Sequence, residues 1–503
     1  CFFDQQFQNL LLELCKGFIK EIEMSKVVVI GIDGMDYRLL NDYLPELPNL
    51  SKISQAGVGS PLLSVYPADS IPSWITIYTG DGPEKHGIIR SIDYLKKDYK
   101  KFSIDTTAFR GRTFWDDAGK HGKKVCVINP FMAYPVWPVN GVMVSGPVFT
   151  TGEALYFPEN IGSKYGLSHV LGGIEDFPTE KTLDQFVHKC KSDTLDLANY
   201  SLKLFKGEVW DLFFVTFLTL DRLQHFLWRY TDSNDPTYPG PNRHEGIIKA
   251  FYKLFDEIIG EYLSEMREED YLIVISDHGH GMRCTKYLNV NEYLRRRNYL
   301  KADVGKVAFI SKKYWVEKAK NFVLQTLFTL NLEDFTYLIA RFVPNRQKLK
   351  TSDFVIKKAD SNVRLSDFAG SGPYGGIDIS PDIRASSDYE RLRNDVIDDL
   401  WSLNRQYGEK IFKWIQKSDE MFKMAPDQVP YPDIVFELYE PYGVNWGLFI
   451  SLISRNPFHK KISGGHNSVG ILFSNASYLK NRDNLRVHDV KSLVLEGLNV
   501  ING

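Results

Sequence analysis

Cysteine is scarce in this chain. Five occur in 503 residues, at Cys1, Cys15, Cys126, Cys190 and Cys284, and no two stand as Cys-x-x-Cys. An odd, scattered set argues against a disulfide framework and against a cysteine-ligated zinc site, and it favours a reducing, cytoplasmic setting. No run of about 18 apolar residues occurs, so no transmembrane helix is expected. Charge of one sign is not in excess either: 61 Lys+Arg face 63 Asp+Glu, a formal net charge of −2. Overall polyanion binding does not follow from such a balance, and no nucleic-acid partner is expected. Internal repeats and low-complexity tracts are absent as well. What remains is a chain long enough for two or three domains with a large core.

Several apolar runs end in small or acidic residues. They are Val27–Ile32, Lys124–Ile128, Leu212–Leu220 and Leu272–Ile275, with shorter candidates at Asp433–Leu438 and Val469–Phe473. Helical patterns intervene, as at Thr182–Phe205 and Glu245–Arg267. Near-continuous apolar strands alternating with helices predict a doubly wound α/β fold, its mostly parallel sheet covered by helices on both faces. The N-terminus precedes this pattern. Phe2–Glu23 has the spacing of an amphipathic helix, and residues 1–23 read as an extension upstream of Met24. Residues 301–358 differ from the rest, with 12 Lys/Arg against 5 Asp/Glu. Within them Asn321–Val343 is apolar and aromatic at helical spacing. The expected organisation is therefore an extension (1–23), a first part of the core (24–290), an inserted basic helical cap (291–372) and a second part of the core (373–503). The basic segment is either a solvated face or a surface that attracts an anionic, lipid-linked substrate or a membrane.

The densest chemistry is Ser276-Asp277-His278-Gly279-His280-Gly281, directly after an apolar strand. The carboxyl ends of such strands line the ligand crevice of open α/β sheets. Four other places supply oxygen or imidazole groups. They are Asp33 in Gly31-Ile32-Asp33-Gly34, Ser70 in Asp69-Ser70-Ile71-Pro72-Ser73-Trp74, Asp221 with His225, and His466 in Ser463-Gly464-Gly465-His466. Each has a plainer reading. Asp33 and Ser70 suit helix caps. Asp221 and His225, at i and i+4, suit either chelation or an ordinary helical hydrogen bond. His466 suits an exposed turn.

Taken together and in this order, these residues resemble the alkaline phosphatase superfamily. The layout Tyr66-Pro67…Ser70-Ile71-Pro72…Thr79-Gly80…His86-Gly87-Ile88 is similar to type I phosphodiesterases, nucleotide pyrophosphatases and a phosphohydrolase/phosphomutase group. The resemblance implies a hydrolase of phosphate mono- or diesters working through a phosphoserine on Ser70. It implies two divalent ions, Zn²⁺ or Mn²⁺. Asp33, Ser70, Asp277 and His278 would hold one, and Asp221, His225 and His466 the other. A phosphomutase and a nucleotide pyrophosphatase are the alternatives, and a non-catalytic metal-binding protein is a further one. Two departures stand out. Ser73 takes the place where nucleotide pyrophosphatases carry Asn, and Trp74 the place where sulfatases need Arg. Ser73, Arg222, Gln224 and His280 are the candidate substrate contacts, and the expected substrate is a phosphorylated small or lipid-linked molecule. Oligomeric state is not readable.

Overall fold

The computed structural model describes residues 25–89, 106–146, 153–165, 178–302, 319, 322, 323, 326, 356–357, 360–367, 370 and 372–501. The expected helix over Phe2–Glu23 lies outside the described residues, as do Met24 and nearly all of the basic segment 301–358, including most of Asn321–Val343.

Along the chain the strands are β1 (Val27–Ile32), β2 (Val58–Leu63), β3 (Val125–Ile128), β4 (Gly141–Ser145), β5 (Leu155–Phe157), β6 (Leu212–Phe217) and β7 (Tyr271–Ile275). Next come β8 (Gly279–Met282), β9 (Lys286–Asn289), β10 (Val363–Leu365), β11 (Tyr374–Ile379) and β12 (Phe412–Lys417). The last are β13 (Ile434–Leu438), β14 (Tyr442–Asn445), β15 (Ile453–Arg455), β16 (Gly464–Asn467) and β17 (Val469–Ser474). Eight of them form the main sheet in the order β2-β17-β7-β1-β6-β3-β4-β5. Only β17 and β5 run antiparallel to their neighbours.

The apolar runs are explained by two-sided burial. All six residues of β1 are buried. Val28, Ile30 and Ile32 face one hydrophobic layer, with Leu197 of α3 (Leu183–Gly207), Leu220 of α4 (Thr219–Thr231) and Phe255 of α5 (Ile247–Ser264). Val27 and Val29 face the opposite layer, with Trp74 of α2 (Ser70–Thr79) and Val494 of α7 (Val490–Gly497). Period-two alternation thus places successive side chains in different cores, and neither face tolerates a polar residue.

The inserted unit differs from the expectation. Described residues of Leu288–Leu300 and Val363–Leu452 gather round a third hydrophobic cluster of their own. Its frame is an antiparallel sheet, β10-β11-β13-β12, backed by α6 (Tyr389–Tyr407), which contributes Val396, Leu400 and Leu403. The chain rejoins the main sheet only at β17: β11, β12 and β13 lie in the smaller sheet, and β14 and β15 pair with β9 in a three-stranded sheet of their own. The strand expected at Asp433–Leu438 forms as β13, but in this smaller sheet. β13 is itself mostly buried, while its neighbour β12 buries one side only, as an antiparallel strand with a solvated face does.

A fourth, small cluster joins the two units. Tyr66 and Ala68, just before Ser70, pack with Tyr374, Tyr431 and Val435. Tyr66 Oη lies 2.7 Å from the Gly375 carbonyl and 2.9 Å from that of Phe436. Tyr431 Oη donates to the Tyr66 carbonyl at 2.6 Å. Among the described residues no helix is long and apolar enough to cross a membrane.

Candidate functional site

Three neighbouring parallel strands, β7-β1-β6, end together. The register pairs Gly31 with Ile275 and Ile32 with Phe217, and the Asp33 N–H continues it by donating to the Phe217 carbonyl at 2.9 Å. The residues just beyond the three strand ends therefore meet: Asp33 after β1, Asp221 in the first turn of α4 after β6, and Asp277 with His278 after β7. Gly34 turns at φ +70°, and a Cβ there would stand 3.0 Å from Asp221 Oδ1, so a glycine closes this turn. Its N–H donates to Asp277 Oδ1 at 3.2 Å.

Ser70 opens α2. Asp69 caps the helix by accepting from the Ile71 N–H, and this cap aims the Ser70 hydroxyl at the strand ends. Ser70 Oγ lies 3.0 Å from His278 Nε2 and 3.3 Å from Asp33 Oδ1. Asp33 Oδ2 accepts from the Trp74 indole N–H at 2.9 Å, one helical turn further on. The ligand atoms of Asp33, Asp277 and His278 all lie within 4.8 Å of one another.

A second group adjoins the first. Its centre is Asp221, with His225 Nε2 3.3 Å from Oδ2 and His466 Nε2 3.3 Å from Oδ1. His466 enters from β16 and stacks on His278 with ring centroids 3.9 Å apart. Three imidazoles share one arrangement. Nδ1 of His225, His278 and His466 faces the backbone carbonyls of Gly464, Gly279 and Ala68, at 2.9, 3.0 and 3.3 Å. With Nδ1 carrying the proton, each Nε2 lone pair points into the cluster. This is the outer-shell pattern of metal-binding histidines.

The electrostatics fit a cation. Burial, then repulsion from Asp277 and Asp221, pushes the Asp33 carboxyl well above its usual range. Burial and Asp221 do the same to Asp277. Burial opposes ionisation of Asp221 as well, but the imidazoles of His225 and His466 pull it well below. Nε2 of His225 and Nε2 of His466 stand 3.0 Å apart, and with both protons on Nδ1 the two lone pairs face each other. Asp221 Oδ1 and Asp277 Oδ2 are buried without a hydrogen-bond partner. Carboxylates and imidazoles packed this closely, with acceptors left over, are a donor set suited to divalent metal ions. The residues present fit such a group.

The seven residues expected to ligate metals converge at one place. The expected substrate contacts divide. Ser73 is fully buried with its hydroxyl 2.8 Å from that of Ser64, so it is directed at the framework and away from the cluster. Gln224 is also fully buried, its amide donating to the Gly34 carbonyl at 2.8 Å. Both lie on the inner faces of their helices, which linear spacing alone does not separate from the outer ones. Arg222 lines a small cavity with Asn129, Asp193, Thr194 and Phe217. His280 is fully buried beside Asp221. Two supporting residues carry no role that the sequence reveals. Trp74 reads there as a core aromatic, and its proximity to Asp33 depends on tertiary packing. Asp36 caps α1 (Tyr37–Tyr43) through Oδ1, and its Oδ2 accepts from Asn467 Nδ2 at 2.8 Å and the His280 N–H at 3.3 Å. Its position before a helix is the one signal that could have found it.

Residues 27–360 match the family model of type I phosphodiesterase / nucleotide pyrophosphatase. Human ectonucleotide pyrophosphatase/phosphodiesterase family member 1 is 24% identical over 353 residues, 66% of this chain and 32% of that protein. Member 3 from Mus musculus is 29% identical over 131 residues, 25% of this chain and 14% of that protein. The chain thus matches a third or less of the length of these relatives. Among solved structures, phosphonoacetate hydrolase from Sinorhizobium meliloti 1021, in complex with phosphonoacetate, superposes with a TM-score of 0.53 at 13% identity. That alignment covers 94% of this chain and 96% of the other, a likeness of fold.

Proposed function

Because the chain belongs to the type I phosphodiesterase / nucleotide pyrophosphatase family, within the alkaline phosphatase superfamily, we propose that it is a two-metal phosphohydrolase that works through a phosphoserine on Ser70. One observation carries the reading: a serine hydroxyl at a helix N-terminus, 3.0 Å from His278 Nε2 and 3.3 Å from Asp33 Oδ1, beside two adjoining groups of metal-binding side chains. Asp33, Asp277, His278 and Ser70 would hold one divalent ion, Zn²⁺ or Mn²⁺, and Asp221, His225 and His466 the other. When bound, the ions supply positive charge that lowers the hydroxyl pKa and neutralises the phosphoryl oxygens.

The side chains of this chain do the positioning. Asp69 fixes the rotation of α2, and with it the direction from which Ser70 Oγ meets phosphorus. Oγ forms a bond to phosphorus as the ester oxygen leaves opposite it, and the hydroxyl proton ends on that departing oxygen. Water arriving on the side of Asp221, His225 and His466 then breaks the Oγ–phosphorus bond, releasing phosphate or its remaining monoester and restoring the hydroxyl. The positive end of the α2 dipole favours the anionic phosphoryl group throughout. A phosphorylated small or lipid-linked substrate and a cytoplasmic setting belong to the same proposal. Cys126, Cys190 and Cys284, all buried and free, support the latter.

Ser70→Ala tests it. The variant is expected to lose on the order of 10³-fold or more in kcat while keeping the metal content of the parent. Retained turnover would refute the nucleophile. A panel of nitrophenyl mono- and bis-esters, run with Zn²⁺, Mn²⁺ and Mg²⁺ in turn, separates a phosphatase from a phosphodiesterase and identifies the working metal.

A further inference from the structure

His280 belongs to none of the seven expected ligands, yet among the described residues it is a fully buried imidazole with neither nitrogen bonded. It is 0% exposed, and neither Nδ1 nor Nε2 makes a hydrogen bond. An imidazole in that state forfeits two hydrogen bonds to water and gains none, a cost that native cores avoid. Its placement is not accidental to the fold. His278 immediately precedes β8 and His280 is the second residue of that strand. The ribbon register pairs His280 directly with His466, which puts both side chains on one face of the ribbon. The helix α4, carrying Asp221 and His225, lies against it. His280 Nδ1 stands 3.2 Å from Asp221 Oδ1, without hydrogen-bond geometry, and the His225 ring is 4.7 Å away between centroids. The ligand atoms of Asp221, His225 and His280 fall within 4.8 Å of one another, as closely as those of Asp33, Asp277 and His278. On the far side, Nε2 faces the Cα of Gly464. A Cβ there would approach Nε2 to 2.6 Å and the Gln224 carbonyl oxygen to 2.3 Å, so the glycine makes room for both.

We infer that His280 is a further protein ligand, through Nδ1, of the metal ion held by Asp221, His225 and His466. The inference rests on the two-metal reading above. Three imidazoles and a carboxylate already fill a tetrahedron, and a working site keeps a position open for substrate. The ion at Asp221 therefore takes five or more ligands, which suits Mn²⁺ and similar ions better than a four-coordinate Zn²⁺ site.

Cobalt distinguishes the possibilities, because the intensity of its visible bands rises as coordination falls towards four. Purified full-length protein is stripped of metal and titrated with Co²⁺, monitored by absorption and by equilibrium dialysis. The parent is expected to bind two equivalents with weak bands. His280→Phe, which keeps the ring volume and loses both nitrogens, is expected to bind the second equivalent at least ~10-fold more weakly and with more intense bands. His280→Asn, which can still donate to Asp221 but is a poor ligand, is expected to behave like His280→Phe. Circular dichroism of the metal-free proteins controls for folding, and the Asn variant remains informative should Phe not fold. Parent-like affinity and bands in both variants would overturn the assignment, and rescue by Asn alone would reduce His280 to orienting Asp221. Failure of the parent itself to bind a second equivalent would overturn the two-metal reading, and this inference with it.

Discussion

Single side chains around the site show how burial fixes protonation. His86, behind α2, is 7% exposed. It accepts from the Ile88 N–H at Nδ1 and meets the Thr76 hydroxyl at Nε2, 3.1 Å away in both cases. The ring is held neutral, and burial pulls its pKa from 6.5 to about 4. In the unfolded chain His86 takes a proton near pH 6.5, whereas in the folded protein it resists until about pH 4. The neutral ring's contribution is thus complete above pH 6.5 and is lost as pH falls towards 4, by about 3 kcal/mol in all. His86→Gln should be less stable than the parent at pH 8, and its melting temperature should fall less steeply between pH 6.5 and 4. Parallel melting curves across that range would dismiss the account.

At the scale of elements, β1 carries a steric constraint that bears on the site. Gly31 sits under Trp74, where a Cβ would come within 2.5 Å of the indole Cη2. Gly31→Ala must push that ring away from Asp33, whose Oδ2 it binds. The expected outcome is a loss of about 1–3 kcal/mol from overpacking, read by chemical denaturation, together with weaker metal binding at Asp33. Unchanged stability would mean that the indole has room to retreat. The strands that carry chemistry were legible in the sequence for a physical reason. A strand buried on both faces needs apolar residues throughout, so Val27–Ile32 and Tyr271–Ile275 advertise themselves. Those of the smaller sheet, β13 apart, do not. In β12, Phe412 and Ile415 are buried while Lys413 and Gln416 are exposed, and a pattern with such gaps resembles a surface helix. The short ribbon β8–β16 was invisible for a different reason: glycine and histidine have little strand preference, and this pairing is settled by tertiary contact.

Across the whole molecule, the expected ligands Asp33, Asp221, Asp277 and His278 were readable because each follows a recognisable apolar strand, whereas Ser70 opens a helix and His466 lies within the short ribbon. The unit boundary was not readable. The expected cap (291–372) follows a run of positive charge at 301–358, nearly all of it outside the described residues, whereas the third core reaches Leu452. Cores form by long-range burial, and composition along the chain does not report which segments share one. The two units meet at Tyr66, where the Tyr431 hydroxyl holds the backbone 2.6 Å away, four residues before Ser70. Tyr431→Phe is expected to cost about 1 kcal/mol in stability. It should also lower kcat with metal content and KM unchanged, a split measurable by steady-state kinetics beside elemental analysis. Equal kcat in both proteins would show that the Tyr66 segment keeps its shape unaided. The same segment supplies the Ala68 carbonyl to His466. Anyone exchanging the smaller unit between relatives must therefore transplant the aromatic joint along with it. A chimera that preserves every expected ligand and loses this joint leaves the proposed nucleophile with no fixed hinge pin.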